Sequence, residues 1–371
     1  MRILIINCVS GIRSTGRICA EQLEEFLKEG NDARLAYGRM EEVPEQYRQY
    51  SVQIGGKLDV LCHVMRTRLL DEHGFGSVRA TQHFLKWAEE FDPDLLWLHN
   101  IHGYYINVEL LFQWIKRRPE MNVKWTLHDC WAFTGHCAFF SAVRCMQWKS
   151  LCMHCPQLKQ YPKCYGKADV AENYRRKRAA FTGVTNMELV VPSYWLKKLV
   201  EMSFLSEYSV KVQYNSINQD VFVSTESNLR ERYHLENKFI ILGVASAWSN
   251  RKGLWYFCEL SELLPFDCVI VLVGLNKKQI KRLPNRILGL QGTNDSQELA
   301  GIYSTANVFV NPSVEESFGM TPLEAEACGT PAIVFKDTAC EEIAEQHERI
   351  NSVPQNVGAL YHEIMRIRET L

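Results

Sequence analysis

Residues 238–274 read KFIILGVASAWSNRKGLWYFCELSELLPFDCVIVLVG, with an apolar run on each side of a segment of helical character. Runs of this kind alternate with amphipathic segments along the whole chain, from RILIIN at residues 2–7 to PAIVFKD at residues 331–337. Such alternation of strands and helices is typical of a parallel sheet that is covered by helices on both faces. The sequence therefore predicts the α/β class.

The length of the chain indicates two domains. A chain of 371 residues is too long for one ordinary core and fits two domains of roughly 150–200 residues each. The pattern restarts at residue 238, after a charged stretch, and we place the boundary so that residues 1–216 form an N-terminal Rossmann-like domain and 217–371 a C-terminal one. Because ligands of open α/β sheets bind at the carboxyl ends of the strands, we expect the active site in a cleft between two doubly wound sheets. The last helix could then pack back on the first domain.

The composition excludes a general affinity for nucleic acid. Apolar residues make up 46% and charged residues 23% of the chain, and the formal net charge is −1. No stretch approaches the ~20 apolar residues that span a bilayer, and the start MRILIINCVSG lacks the cleavage site of a signal peptide. We therefore expect a cytoplasmic protein, in which thiols stay reduced.

A cysteine-rich insert is expected at about residues 130–165, in the N-terminal domain. Its four candidate metal ligands lie within nineteen residues and end in a CxxC motif: Cys137, Cys145, Cys152 and Cys155. Four thiolates can surround one tetrahedral Zn²⁺, and a closed site of this kind is structural rather than catalytic. An iron–sulfur cluster and free buried thiols are the alternatives, and the reducing compartment disfavours disulfides.

Two turns between a strand and a helix carry residues that suit an anion. In NCVSGIRSTGRI, residues 7–18, Gly11 and Gly16 bracket the turn before the first helix, whose N-terminus attracts negative charge. Arg251 and Lys252 follow the strand FIILGVAS and precede the next helix, where the two cations could neutralise a diphosphate. The alternatives are an ordinary tight turn and a solvated basic loop.

The strongest candidate for catalysis is ESFGMTPLE, residues 316–324. Pro322 suits the first turn of a helix, and Thr321 is a candidate N-cap. Glu316 would then lie on the loop before the helix and Glu324 within its first turns. The two carboxylates could reach different parts of one ligand, although surface carboxylates are also common.

This stretch resembles the E-x7-E motif of family 4 retaining glycosyltransferases, which have the two-domain GT-B fold. Three further stretches fall in the order and spacing of that family: RKG at 251–253, LGLQGTNDSQELAGIYSTANVFVNPS at 288–313 and EACGTPAIV at 326–334. In the first half, LHDCWAFTGHC at 127–137 and CPQLKQYP at 155–162 resemble a subgroup from bacterial polysaccharide synthesis, including transferases of the colanic-acid type.

The resemblance implies roles for the residues that bind the donor, a UDP- or GDP-linked sugar. Arg251 and Lys252 would hold the diphosphate and stabilise the leaving phosphate. Glu316 would bind hydroxyls of the transferred sugar, and Glu324 would bind the ribose. The remaining implied contacts come from His128 beside the sugar, Gly16 at the phosphates or the acceptor, and the backbone of Ser317, Phe318, Gly319 and Met320 at the sugar and phosphate.

The resemblance also implies a reaction with retention, no catalytic metal, and a glycan or polyprenyl-linked acceptor. His99 and His102 could line the acceptor side or belong to a plain loop, and Asp129 could orient His128 or cap a turn. The basic run YRRKRAAF, residues 174–181, could touch phospholipid headgroups at the inner face of the membrane or form a solvated helix face. A nucleotide-sugar epimerase of the same fold and a non-catalytic, metal-stapled glycan-binding module are the alternative functions.

Overall fold

The computed structural model describes residues 1–39, 41–293 and 295–370. Asn294, within one of the stretches that carry the resemblance, lies outside the described residues. The chain divides into two compact units, the first ending at Tyr214 and the second beginning at Asn215.

The first unit contains a sheet of seven parallel strands in the order β3-β2-β1-β4-β5-β6-β7. The strands are β1 (Arg2–Ile6), β2 (Asp32–Tyr37), β3 (Ser51–Gln53), β4 (Leu95–Leu98), β5 (Asn122–Thr126), β6 (Met187–Val191) and β7 (Val210–Val212). The helices are α1 (Arg13–Lys28), α2 (Glu45–Arg48), α3 (Lys57–Leu70), α4 (Val78–Phe91), α5 (Val108–Lys116), α6 (Val170–Phe181) and α7 (Tyr194–Glu201).

Successive residues of β1 supply two separate cores. Ile3 and Ile5 pack in a cluster that includes Leu23 of α1, whereas Leu4 and Ile6 belong to a larger cluster that includes Phe112 of α5. Because neighbouring side chains of a strand point to opposite faces, both faces of this sheet are covered by helices. The prediction of a doubly wound α/β unit is confirmed here.

The cysteine-rich insert has no strand or α-helix between residues 130 and 165 but contains three short 3₁₀ helices, Trp131–Phe133, Ser141–Val143 and Gln147–Lys149. Phe140 and Trp148 stack with ring centroids 4.7 Å apart, and Phe133 packs beside them. These rings join the main core of the first unit. Aromatic packing therefore already orders part of the segment.

The second unit contains six parallel strands in the order β10-β9-β8-β11-β12-β13. They are β8 (Phe239–Val244), β9 (Cys268–Val273), β10 (Ile287–Leu290), β11 (Val308–Asn311), β12 (Ala332–Phe335) and β13 (Ile350–Val353). The helices are α8 (Leu229–Arg232), α9 (Leu254–Leu263), α10 (Lys277–Ile280), α11 (Ser296–Thr305), α12 (Met320–Ala327), α13 (Ala339–Ala344) and α14 (Val357–Thr370). Its two faces also bury separate apolar clusters, so this unit is doubly wound as well.

The last helix, α14, buries its apolar face in the second unit. Leu360, Ile364 and Ile367 are buried in the same cluster as Phe257 of α9 and Phe335 of β12. These three side chains therefore belong to the core of the second unit, and packing of this helix against the first domain stays a prediction.

The order of the strands fixes where ligand-binding loops can meet. In the second sheet β8 lies between β9 and β11, and in the first sheet β1 lies between β2 and β4. The chain reverses its direction of winding at these places, and ligands of open α/β sheets bind there. The loops after β8 and β11 thus begin side by side, at the carboxyl ends of two adjacent strands. None of the helices within the described ranges is long and apolar enough to cross a membrane.

We expect Gly274→Ala to destabilise the protein far more than Gly30→Ala. Both glycines have positive φ, +97° and +81° respectively, which costs about 1–2 kcal/mol for an alanine. At Gly274 an added Cβ would also lie 1.6 Å from the carbonyl oxygen of Ala245, whereas none of the described atoms lies within 4 Å at Gly30. Gly274→Ala should lower the free energy of unfolding in denaturant by about 3 kcal/mol or more. Equal losses would contradict the packing described here.

Candidate functional site

The loops after β8 and β11 are tied together by their backbones. Val314 donates its N–H to the carbonyl oxygen of Arg251 at 2.9 Å. Gly253 has a φ of +73°, and an added Cβ would lie 2.1 Å from the carbonyl oxygen of Pro312. Only glycine allows this approach, so the two loops are held in close contact immediately beside the predicted cations.

Arg251, Lys252 and Glu316 form one ion cluster. Lys252 Nζ donates a hydrogen bond to Glu316 Oε1, and Arg251 Nη1 lies 3.6 Å from Glu316 Oε2. Arg251 Nη1 also donates to the carbonyl oxygen of Glu315 at 2.7 Å. The structure therefore brings three of the four predicted catalytic residues together. Glu316 is 7% exposed, and the side chains of Arg251 and Lys252 are 27% and 24% exposed.

The carboxyl group of Glu316 is ionised at neutral pH. Burial alone would raise its pKa, but the charges of Lys252 and Arg251, with hydrogen bonds from Lys252 and Ser313, outweigh burial and lower the pKa below 4.5. A buried carboxylate with this surrounding accepts further hydrogen bonds from hydroxyl groups.

The segment Ser317–Met320 leads from Glu316 directly into α12. Helix α12 begins at Met320, and the preceding Gly319 has a φ of +109°, with Cys340 Sγ 2.4 Å from where a Cβ would stand. The prediction that Thr321 caps this helix is wrong, since Thr321 lies inside it. Glycine provides the sharp entry into the helix that a side-chain cap was expected to provide.

Glu324 lies inside α12 and is 3% exposed. Its Oε2 accepts a hydrogen bond from the hydroxyl of Tyr303 on α11 at 2.9 Å. The two carboxylates of the motif thus have different partners, because Glu316 pairs with cations of the β8 loop and Glu324 with a tyrosine. This agrees with the expectation that they serve different parts of a ligand, while their roles remain predictions.

Gly16 lies in the first unit, within the first turns of α1 rather than in the turn before it. Gly11, with a φ of +70°, occupies the turn, and its N–H donates to the carbonyl oxygen of Gly16 at 3.1 Å. A Cβ at Gly16 would lie 2.9 Å from Cγ2 of Val9. The prediction that Gly11 and Gly16 bracket the turn is therefore wrong for Gly16, because the helix already begins at Arg13.

His128 follows β5 and stacks on His99, which follows β4. The ring centroids are 5.3 Å apart, and His99 Nδ1 lies 3.0 Å from His128 Nε2. The surrounding protein disfavours the charged form and lowers the pKa of His128 to about 4, and that of His99 well below its usual value. Both imidazoles are neutral at pH 7.

Asp129 pairs with His102, whose Nε2 lies 3.0 Å from Asp129 Oδ2. Trp131 donates its backbone N–H to Asp129 Oδ1 at 2.9 Å. Burial raises the pKa of Asp129, but its interactions with His102 and with the Trp131 N–H more than offset this and lower the pKa. The carboxylate therefore pairs with His102 and caps the turn at Trp131, which agrees with the second of the two expected roles, while orientation of His128 stays a prediction.

Asp129 and His102 form a polar cluster with two residues that sequence reasoning missed, Tyr161 and His73. Tyr161, from the cysteine-rich insert, places its hydroxyl 3.0 Å from His102 Nδ1 and 3.4 Å from His73 Nε2. His73 is fully buried, which lowers its pKa well below the usual range, and its Nε2 accepts the N–H of Gly103. The motif CPQLKQYP contains Tyr161, but its spacing gives no sign of a contact with His102. The insert therefore contributes directly to this polar cluster.

The basic run at residues 174–181 is only partly on the surface. Lys177 is buried, and its Nζ donates to the carbonyl oxygens of Trp131 and Thr134 at 2.8 and 3.0 Å. Arg176 forms a bidentate ion pair with Glu109. One of the four cations is thus internal and a second is half-buried in an ion pair, while contact of this run with lipid headgroups stays a prediction.

Cys137, Cys145, Cys152 and Cys155 line one cavity. The thiols of Cys137 and Cys155 are hydrogen-bonded to each other, which raises the pKa of Cys137 and lowers that of Cys155 to about 6. All thirteen cysteines are free thiols. Over the described ranges, no three His, Cys, Asp or Glu side chains converge in the arrangement of metal ligands. The residue types fit zinc, but their present geometry does not complete a site, and metal binding stays a prediction.

Residues 237–369 match the family model described as Glycosyl transferases group 1. The putative colanic acid biosynthesis glycosyl transferase WcaC of Escherichia coli is 25% identical over 170 residues, which are 44% of this chain and 41% of that protein. The O-antigen chain mannosyltransferase RfbU of Salmonella typhimurium is 25% identical over 178 residues, 46% and 44% of the two chains. The chain spans less than half the length of the curated relatives that it matches.

Solved structures resemble the entire chain. Sucrose-phosphate synthase from Thermosynechococcus elongatus has a TM-score of 0.73 at 16% identity, over 99% of this chain and 90% of that one. WaaG, a glycosyltransferase involved in lipopolysaccharide biosynthesis, has a TM-score of 0.66 at 13% identity, over 100% and 92%. Anabaena Alr3699/HepE in complex with UDP and glucose has a TM-score of 0.65 at 16% identity, over 100% and 90%. At such identities the likeness shows the fold, and the predicted GT-B class is confirmed.

Replacement of Glu316 by glutamine should remove a pH-dependent part of the stability. Since the pKa of Glu316 is lower in the folded protein than its reference value of 4.5, its ionised form stabilises the fold above pH 4.5. That contribution is lost as the pH falls below 4.5 and through the folded pKa. The difference in free energy of unfolding between the native protein and Glu316→Gln should therefore shrink over this range. Glu262→Gln, at an exposed position of α9, is the control. A difference that does not change with pH would contradict the ion cluster.

Proposed function

We propose, from the match of residues 237–369 to the group 1 glycosyl transferases, that this chain is a retaining glycosyltransferase. It would move a sugar from a nucleotide-diphosphate donor to a glycan or lipid-linked acceptor during the synthesis of surface polysaccharide, in the cytoplasm. The observation that carries the proposal is the cluster of Arg251, Lys252 and Glu316 at the junction of β8 and β11.

The charge of this cluster suits a diphosphate. Two cations and one carboxylate leave one positive charge, and both cations are partly exposed while the carboxylate is buried. The guanidinium of Arg251 can bind two phosphate oxygens at once, and the ammonium of Lys252 acts as a point charge. The Alr3699/HepE structures contain UDP and UDP-glucose, which supports a uridine donor, with GDP-linked sugars as the alternative.

Glu316 suits the sugar rather than the phosphate. Its ionised carboxylate would repel a phosphate group but accept hydrogen bonds from sugar hydroxyls. The loop between Glu316 and Met320 can present backbone N–H groups beside it, at the start of an eight-residue helix. Glu324, whose carboxylate is fixed by Tyr303, would bind the ribose.

Catalysis would consist mainly of stabilising the charges that develop during sugar transfer. When the bond between the sugar and the phosphate breaks, positive charge develops at the anomeric carbon and negative charge on the leaving diphosphate. Arg251 and Lys252 are already fixed by backbone and by Glu316, so they can stabilise the leaving group without reorganisation. A diphosphate oxygen would take the proton of the acceptor hydroxyl on the same face of the sugar. The configuration is then retained, and no protein nucleophile is needed.

The acceptor would bind through hydroxyl groups. His99 and His128 are neutral, so they donate and accept hydrogen bonds but do not attract an anion. The pair of Asp129 and His102 lies in the same unit, together with the hydroxyl of Tyr161. This favours a glycan acceptor over a phosphorylated one at this cluster. The curated relatives that act on lipid or O-antigen, such as RfbU, support the general class of acceptor.

Lys252→Ala and Glu316→Ala should each lower kcat for transfer by about 100- to 1,000-fold, because each removes a fixed charge from the reacting groups. The measurement is release of nucleoside diphosphate from a panel of labelled nucleotide sugars, with and without glycan acceptors. Lys278→Ala, at an exposed position of α10, is the matched control and should retain activity. Unchanged turnover in the first two variants would refute the site, and donor binding without turnover in the native protein would favour a binding module.

The product should keep the anomeric configuration of the donor. Proton NMR of the product formed in the first minutes of the reaction measures the coupling constant of the anomeric proton, which reports the anomeric configuration. Inversion would refute transfer on one face and would require a general base on the opposite side of the sugar.

A further inference from the structure

We propose that the cavity in the cysteine-rich insert binds one divalent zinc-class ion through the thiolates of Cys137, Cys145, Cys152 and Cys155. This site would be separate from the ion cluster of Arg251, Lys252 and Glu316, which belongs to the second unit. Two observations beyond the sequence spacing support it: the hydrogen bonds that sulfur atoms of the cavity accept, and an unpaired imidazole nitrogen in its wall.

The backbone already directs N–H groups at two of the four sulfur atoms. Gly135 donates to Cys152 Sγ at 3.3 Å, and Gln157 donates to Cys155 Sγ at 3.4 Å. Hydrogen bonds of this kind stabilise negative charge on sulfur and orient it. Gln157 follows Cys155 by two residues, so the chain curls back over that sulfur directly after the CxxC motif.

His136 also lines the cavity, and its side chain is fully buried. Its Nδ1 lies 2.6 Å from Asp71 Oδ1, which fixes the ring. Its Nε2 is buried and has no hydrogen-bond partner among the described residues. A buried polar atom without a partner is unfavourable, and a ligating sulfur or its metal ion would supply the partner. We assign Nε2 to the metal site, facing the ion and its thiolates, with Asp71 holding the ring at Nδ1.

A compensating charge lies beside the insert, on α6. Four thiolates around a divalent ion carry two negative charges in total. The buried Lys177 is held by the carbonyl oxygens of Trp131 and Thr134, the second of which directly precedes Gly135. Its positive charge interacts electrostatically with Cys137 and Cys152 and can offset part of the negative charge of the thiolates.

Zinc is favoured by the ligands. Thiolates select soft or borderline metals, and a closed set of four sulfur atoms in tetrahedral geometry is typical of zinc or an iron–sulfur centre. The thirteen cysteines form no disulfide. Because no three of these groups yet converge within the described ranges, the sulfur atoms must move together when the ion binds. The Cys137–Cys155 hydrogen bond is then lost, and each thiol releases its proton on coordination.

Binding would also stabilise part of the polar cluster. Tyr161 belongs to the same insert, six residues after Cys155, and its hydroxyl contacts His102 and His73. An ion that holds the CxxC end of the insert would therefore restrict the backbone that carries Tyr161. Removal of the ion should increase amide hydrogen exchange over residues 130–165 but leave the exchange of α12 unchanged.

The test is elemental analysis of the full chain, purified without a histidine tag. We expect about one zinc per chain, and its release by a strong chelator should be slow until a thiol reagent is added. Exchange for Co²⁺ should give the absorption of a tetrahedral ion with four thiolates. Iron with a brown colour, or native protein without any metal, would overturn the assignment.

Variants locate the site. Cys152→Ser should lose the ion, whereas Cys164→Ser should keep it, since Cys164 is also a buried cysteine of the insert but does not line the cavity. His136→Gln should retain the ion with an affinity for Zn²⁺ about 10- to 100-fold weaker. Equal metal content in Cys152→Ser and the native protein would refute the ligand set, as would complete loss in Cys164→Ser. The measurement on the native protein decides the matter if a variant fails to fold.

Discussion

The buried carboxylate of Glu316 is the constraint on which the second unit's site depends. It lies at 7% exposure between the ammonium of Lys252 and the guanidinium of Arg251, so it can stay ionised only while both cations stay in place. A buried charge that loses its partner is strongly destabilising. The carboxylate thereby fixes two flexible cations at the carboxyl ends of β8 and β11. A site that must stabilise a leaving group needs such fixed charges, because any reorganisation during the reaction would add to its barrier.

The fold was largely predictable because parallel strands that are buried on both faces are long apolar runs. The runs that became β8 and β9 stand out in the printed sequence, and so does the helix between them. Strands β3 and β13 stand out less because they are short, and β13 reads INSV, in which two polar residues interrupt the apolar pattern. The start of α12 was misplaced for a different reason. Sequence rules favour a side-chain cap such as Thr321, whereas the structure uses the positive φ of Gly319.

The site residues were predictable where their location in the fold follows from their position after a strand in the sequence. Arg251 and Lys252 lie on the loop after β8 and Glu316 lies on the loop after β11, so these adjacent strands bring them together. Contacts that depend on the path of an irregular segment were not predictable. Tyr161 reaches His102 across 59 residues of sequence through an insert without α-helix or strand, and no periodicity signals that path. Lys177 was read as part of a basic surface for the same reason, although backbone carbonyl groups of the insert bury it.

The central claim is that Arg251 and Lys252 bind the donor's diphosphate while Glu316 stays beside them. A crystal structure of the full chain with a nucleoside diphosphate tests it most directly. We expect phosphate oxygens within hydrogen-bond distance of Lys252 Nζ and the Arg251 guanidinium, with the Glu316 carboxylate facing the space where the sugar would be attached. A diphosphate bound elsewhere, with the ion cluster unchanged and out of its reach, would contradict the account.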